Sequence, residues 1–338
     1  MNNNIGIFVW ISSLTIMVLI LIIVGGLTRL TDSGLSMVDW RPLMGTIPPI
    51  SLQDWTQTFN NYKLTPEFQI VNSKMTLEEF KVIFWWEWFH RFFARFIGLV
   101  FILPLIYFLI KKSLSKNLLI NMTIIFLFGF FQALVGWWMV QSGLTDNPYV
   151  SAYLLSFHLA NALIIFSFLF WLSLSIFYGK EKIYHRSIII KTLFHLSLFL
   201  IFVTIISGSF MAGTDAGKSF NTFPLMNQNF FPEGYYLIEY GWKNTFENTI
   251  AINFNHRWLA IFTFLFISTI VIYLLIFKKE KYNYFSLFLV LITLSLQISL
   301  GILTLIYEVP LIYASLHQTN AVLLLASMLF AYYKLIYK

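Results

Sequence analysis

Eight blocks of about twenty apolar residues follow one another along this chain, and no water-soluble fold can absorb them. They lie at about 7–27, 84–110, 119–140, 151–178, 189–211, 249–277, 284–306 and 311–333. About 20 residues is the length a helix needs to cross roughly 30 Å of hydrocarbon. Lipid offers no partner to backbone N–H and C=O groups, so each block must be a helix. Composition removes a large soluble core as the alternative. Of 338 residues, 58% are hydrophobic and 11% charged, against roughly 25% charged in an ordinary soluble domain. The fold class is an all-α polytopic membrane protein with eight transmembrane helices.

The first block has no Lys or Arg before it and runs into Gly25-Gly26-Leu27-Thr28-Arg29 instead of a small-residue cleavage site. It is expected to remain as the first spanning helix rather than to be removed as a signal peptide. The net charge of +7 is concentrated in three short loops: Lys111, Lys112 and Lys116; Lys180, Lys182, Arg186 and Lys191; Lys278, Lys279 and Lys281. Lys334 and Lys338 add to the C-terminus, whereas the segments 141–150 and 307–310 carry none. This alternation is the positive-inside pattern. It puts both termini and the basic loops on the cytoplasmic (or matrix) side of a bacterial or mitochondrial inner membrane, with the long loops 28–83 and 212–248 outside. Orientation accounts for the basic residues, so no nucleic-acid partner is expected. The chain has no cysteine, which excludes disulfides, iron–sulfur clusters and thiolate zinc. Any metal chemistry must use His, carboxylate or Met.

The sequence is built twice. Thr31-Asp32-Ser33-Gly34 recurs as Thr214-Asp215-Ala216-Gly217, and Pro42-Leu43-Met44 as Pro224-Leu225-Met226. His90-Arg91 recurs as His256-Arg257, Gln132-x-x-x-Gly136 as Gln297-x-x-x-Gly301, and His158-x-x-Asn161-Ala162 as His317-x-x-Asn320-Ala321. Five pairs in the same order indicate two duplicated four-helix bundles, 1–180 and 181–338. Because four is even, both insert with one orientation. A four-helix unit is a natural container for a planar cofactor held by facing helices.

Of six histidines, His185 and His195 have no repeat mate and are read as solvated or interfacial. His90, His158, His256 and His317 are placed in the first turns of the even-numbered helices, at their outer ends. Ionisable residues inside a span are costly and mark function. Zinc wants four ligands, or three and a water, and no acidic residue accompanies each pair. Two imidazoles from facing helices suit six-coordinate haem iron. Phe84, Trp85, Trp86, Trp88, Phe89, Phe92, Phe93, Trp137 and Trp138 offer apolar walls. Arg91, Arg95 and Arg257 lie beside the ligands, with Arg29 and Arg41 in the outer loop, as cations for propionates. The reading is two bis-His haem sites, one per half.

Several segments carry a closer likeness: Gly25 to Ser36, Trp40-Arg41-Pro42, Glu87-Trp88-Phe89-His90-Arg91, Gly213-Thr214-Asp215-Ala216-Gly217, Asn221-Thr222-Phe223-Pro224-Leu225-Met226 and His256-Arg257. In these the sequence resembles the haem A synthases over nearly its whole length, and specifically their cysteine-free proteobacterial and mitochondrial class. The resemblance implies an oxidoreductase that converts the C8 methyl of haem O to a formyl group by successive hydroxylations, the gem-diol losing water. It implies that His256 and His317 ligate a resident haem b, with Arg257 beside it. His90 and His158 then bind the substrate haem, with Arg91 and Arg95 beside it. Glu87 matches the family's acidic residue, and as it stands three positions before His90 it shares that helix face. An interfacial pair with Arg91 is the plainer reading of Glu87. Expected partners are haem O, an external protein or quinone that exchanges electrons, haem O synthase and further copies of the chain. The rival readings are a non-catalytic di-haem cytochrome and a transporter.

Overall fold

The computed structural model describes residues 3–38, 44–145, 147–179, 187–277 and 283–337. The Trp40-Arg41-Pro42 segment, His185, and the basic residues Lys180, Lys182, Arg186, Lys278, Lys279, Lys281 and Lys338 lie outside them. The helices are α1 (Asn3–Leu30), α2 (Leu52–Tyr62), α3 (Pro66–Ile70), α4 (Leu77–Ile110), α5 (Lys116–Ser142) and α6 (Ala152–Tyr178). They continue with α7 (Ile188–Gly213), α8 (Asn244–Glu247), α9 (Thr249–Phe277), α10 (Tyr284–Ile306) and α11 (Leu311–Ile336). Eight of them are long and apolar enough to span a bilayer, and the protein is a multi-pass membrane protein. The chain forms two compact units, Met1–Phe166 and Ser167–Lys338.

In the second unit α7, α9, α10 and α11 form a closed four-helix bundle, with contacts α7 to α9, α9 to α10, α10 to α11 and α11 to α7. Lipid tails are as apolar as leucine, so burial alone does not bring these helices together, and polar pairs across them add to the packing. Thr204 and Thr263 meet at 2.9 Å between α7 and α9, and Thr293 and Ser327 at 2.9 Å between α10 and α11. His195 bonds the Tyr332 hydroxyl through Nε2 at 2.6 Å. In the first unit α1 packs along α4, where the Trp10 indole donates to the Val100 carbonyl at 2.8 Å.

The helix boundaries correct one expectation. α4 starts at Leu77, two turns before the apolar block, because Thr76 and Glu79 form a capping box. His90 is therefore thirteen positions into its helix, whereas His158, His256 and His317 lie in the second or third turn of theirs. The added turns pack on α2. Met37, Trp55, Phe59, Tyr62, Phe80 and Phe84 make a small core there, with Phe59 stacked on Phe80 at 5.0 Å and Trp55 edge-on to Phe84 at 5.0 Å. Phe84 thus belongs to the core of this loop domain and not to the wall of a haem site.

That loop domain also buries a carboxyl. Glu67 is 6% exposed; it accepts the Tyr62 hydroxyl at 2.9 Å, and Asn72 donates to the same hydroxyl oxygen at 2.8 Å. Burial pushes the Glu67 carboxyl up to about 7, against the downward pull of the Tyr62 bond. A group that holds its proton more tightly folded than unfolded stabilises fully below its unfolded value, and the gain is lost as pH rises through the folded one. The protection of residues 52–75 against hydrogen exchange, corrected for intrinsic rate, should therefore fall between pH 4.5 and about 7. Glu67→Gln should flatten that dependence. An unchanged slope in the variant would show that another group sets it.

Candidate functional site

Each of the four paired histidines is seated against a glycine of a neighbouring helix. A Cβ at Gly25 of α1 would stand 3.2 Å from Nε2 of His90 on α4, and one at Gly136 of α5 would stand 2.9 Å from Cε1 of His158 on α6. In the second unit a Cβ at Gly208 of α7 would be 3.2 Å from Cε1 of His256 on α9. One at Gly301 of α10 would be 2.8 Å from Cε1 of His317 on α11. At 2.8–2.9 Å a side chain of any kind forces the imidazole to move, so Gly136 and Gly301 are there to let the rings approach the helix axis. All four histidines are half-buried.

Side-chain amides hold the α6 and α11 histidines from below. In the first unit Asn161 donates to Gln132 Oε1 at 2.6 Å and to the Phe128 carbonyl at 3.0 Å, and Gln132 then donates to the His158 carbonyl at 3.1 Å. In the second unit Asn320 donates to Gln297 Oε1 and to the Thr293 carbonyl, both at 2.8 Å. The Gln297 amide nitrogen thereby faces the His317 ring, 3.2 Å from Nδ1. The acceptor carbonyl at the Asn residue fixes which end of each glutamine points at the histidine.

The first unit carries a buried ion pair one turn from His90. Glu87 is 2% exposed. Its Oε2 accepts from the Ser36 hydroxyl at 2.7 Å and from the Met37 backbone N–H at 2.8 Å. Its Oε1 accepts from Arg91, whose guanidinium also donates to the Met37 carbonyl at 3.1 Å. The pair with Arg91 that the plainer reading expected is therefore present, but it is enclosed and bonded to the loop that follows α1 instead of exposed. Arg95 sits one turn further along α4, half-buried. At the corresponding place in the second unit stands Asn253, not a carboxylate. Asn253 donates to the Ala216 carbonyl at 2.7 Å and accepts from Arg257 Nε at 2.6 Å. Arg257 also donates to the carbonyls of Thr222 at 2.7 Å and Phe220 at 2.5 Å. Its fork therefore clamps the 220–222 loop as well as standing beside His256.

The Thr-Asp-x-Gly motif has a backbone meaning. Asp32 and Asp215 end α1 and α7 in the left-handed region, at φ 47° and 53°, a conformation Asp tolerates better than most residues. Their carboxylates pair with Arg29 at 2.5 Å and Lys218 at 3.2 Å.

The profile of the cytochrome oxidase assembly protein family matches residues 8–329. A protein named Heme A synthase from Nitrosospira multiformis is 41% identical, covering 97% of this chain and 92% of its own length. Proteins of the same name from Flavobacterium psychrophilum and Wolbachia pipientis are 41% and 38% identical, with 97% and 95% of each chain covered. The chain belongs to the haem A synthase family. The residues present suit the group that this membership brings with it. Four imidazoles, each backed by a glycine that leaves room for its ring, are donors of the kind that can ligate haem iron. In the first unit His158 Nδ1 and the Trp88 indole N–H are buried without a hydrogen-bond partner among the described residues. Of the expected walls, Trp85, Phe89, Phe92, Trp137 and Trp138 are exposed.

Sequence reasoning named Glu87, the four histidines and the arginines, but passed over Ser207, which bonds His256 Nδ1 at 2.7 Å. It also passed over Asn253 and Gly208. A signal for all three existed, since each aligns across the repeat with Val24, Glu87 and Gly25.

Proposed function

We propose that the protein is a haem A synthase, an oxidoreductase that converts the C8 methyl of haem O to a formyl group. The observation that carries the reading is the asymmetry beside the first histidine of each unit: a buried Glu87–Arg91 pair in one, Asn253–Arg257 in the other. A cytochrome that only passes electrons has no use for an ionisable carboxylate in one of two like sites. In this reading the first unit is the chemical site and the second the electron site.

His90 and His158 hold the substrate haem in the first unit, and His256 and His317 hold haem b in the second, where it supplies one-electron transfer. Arg91 and Arg95 place positive charge beside the substrate haem and Arg257 beside haem b, matching propionate carboxylates. Glu87 sits one helical turn from His90, where it can accept or return a proton as the methyl carbon is oxidised. Arg91, the Met37 N–H and the Ser36 hydroxyl all donate to its carboxyl and orient it. Electrons pass to or from an external protein or quinone. Haem O synthase and further copies of the chain complete the partners we propose. Incubating the purified protein with haem O and a redox partner, then finding haem A by mass spectrometry, tests the reading; unchanged haem O in every arm would refute it.

We also place both termini and the basic loops on the cytoplasmic (or matrix) side, on the positive-inside pattern. Reporter fusions after Lys112 and Lys182 should read that side, and fusions near Asn147 and within 226–240 the opposite one. A single robust contrary reporter would break the arrangement.

A further inference from the structure

The second unit holds its first histidine by a bond that has no counterpart among the described residues of the first. Ser207 stands one position before Gly208 on α7, and its Oγ is 2.7 Å from Nδ1 of His256. The same hydroxyl donates its one proton to the Thr204 carbonyl at 2.8 Å. With that proton committed, Oγ is left as an acceptor, and it is Nδ1 of His256 that carries the N–H. In this arrangement the Nε2 lone pair is free to bind iron. A ring N–H donated to an outer partner both orients a ligating histidine and raises its basicity.

At the corresponding place on α1 stands Val24, one position before Gly25. Valine has neither donor nor acceptor on its side chain. The neighbourhood repeats the contrast. Thr204 and Thr263 bond each other in the second unit, while Leu21 and Ile97 occupy the matching positions in the first. The ring of His90 is also turned differently: Nε2 is the atom nearest the Gly25 position, whereas His256 presents Cε1 to Gly208. On the α6 side, His158 Nδ1 is buried with no hydrogen-bond partner among the described residues.

We propose that Ser207 is a positioning residue that makes the second-unit site a permanent haem site, and that Val24 leaves His90 able to take up and release its haem in each cycle. The two sites have like ligands but opposite duties. A cofactor must stay, whereas a substrate must enter and its product must leave by breaking the iron–imidazole bonds. A hydrogen bond that Ser207 offers one ring and Val24 cannot offer the other divides these duties without changing a ligand. The inference rests on the placement of haem b in the second unit.

The test uses the full-length protein in detergent. Haem b per protein, measured after extended washing, should fall in Ser207→Ala in line with an affinity loss of about 10–100-fold. Its midpoint potential should rise, because a less basic imidazole stabilises the oxidised iron less. Ser207→Thr keeps the hydroxyl and should restore both. Wild-type retention together with an unshifted potential in Ser207→Ala would overturn the inference. His256→Ala, run alongside, separates the two failures. If it loses haem b while Ser207→Ala is unaltered, only the role of Ser207 is wrong. If His256→Ala keeps its haem b, the placement of haem b is wrong and the inference falls with it.

Discussion

Replacing His256 or His317 with alanine is expected to abolish the haem b spectrum of the purified protein, while His90→Ala and His158→Ala should leave it in place. The two pairs sit in separate compact units, Met1–Phe166 and Ser167–Lys338, and each keeps its own glycine seats and amide partners. In the second unit His256 is tied to Ser207 and His317 to the Gln297–Asn320 amides. These outer partners keep both rings poised, and removing a ring itself costs more than the roughly 10–100-fold that loss of an outer partner costs. The bundle should survive, since alanine is a good helix former and the interior of α11 is packed by Val322, Leu325 and Met328 around the site. Optical spectra of the four variants at equal protein concentration decide it. Loss of haem b in His90→Ala with retention in His256→Ala would reverse the assignment of the units.

Glu87→Gln carries the second large effect. General acid–base groups commonly contribute about 10²–10⁴-fold in rate, and the formation of haem A should fall by that order, with haem O or its hydroxylated product accumulating. The geometry adds a cost that an exposed ion pair would not. Three donors converge on the carboxylate, from Ser36, Met37 and Arg91. An amide keeps one oxygen for Ser36 and Met37 and turns its NH₂ toward the Arg91 guanidinium, donor against donor. Hydrogen bonds to charged groups are worth about 1.5–3 kcal/mol each, so the loop after α1 should loosen over α4. Haem b in the second unit serves as the internal control for folding. A Gln variant that retains haem b and makes haem A at the normal rate would end the catalytic role of Glu87.

The spanning helices were legible because lipid leaves the backbone no choice, and apolar length alone then identifies them. The loop domain was legible and went unread. Trp55, Phe59 and Tyr62 recur at i, i+4 and i+7, the spacing of one helix face, and Thr76-x-x-Glu79 is a capping-box signature. Both are short signals overshadowed by the apolar blocks beside them. The four histidines stood out because ionisable residues are rare in spans, and the repeat paired them. The partners of Arg257 could not be read in the same way. Besides Asn253 they are the carbonyls of Phe220 and Thr222, and a backbone acceptor leaves no mark on residue type. Ser207 was hidden for a different reason: a serine in a membrane helix is common, and only its alignment with Val24 makes it informative.

The length of α4 has a consequence for where protons can travel. Its 34 residues extend about 51 Å at 1.5 Å per residue, some 20 Å more than the roughly 30 Å of hydrocarbon. Lys111 and Lys112 follow Ile110 directly, which pins that end at the membrane boundary and sends the whole excess out through the other face. Counting about 20 residues back from Ile110 along the bilayer normal brings the opposite boundary to His90. By this count His90 falls at the boundary, and Glu87, one turn further out, falls beyond the hydrocarbon, where the protein itself covers it. In the proposed assignment, His90 would hold its haem at this boundary, with Arg91 one residue further along the helix to meet an acidic group. In the role proposed for Glu87, a proton exchanged there would leave through the polar contacts of Ser36 and Met37, on the side of the loop domain and not across half a membrane.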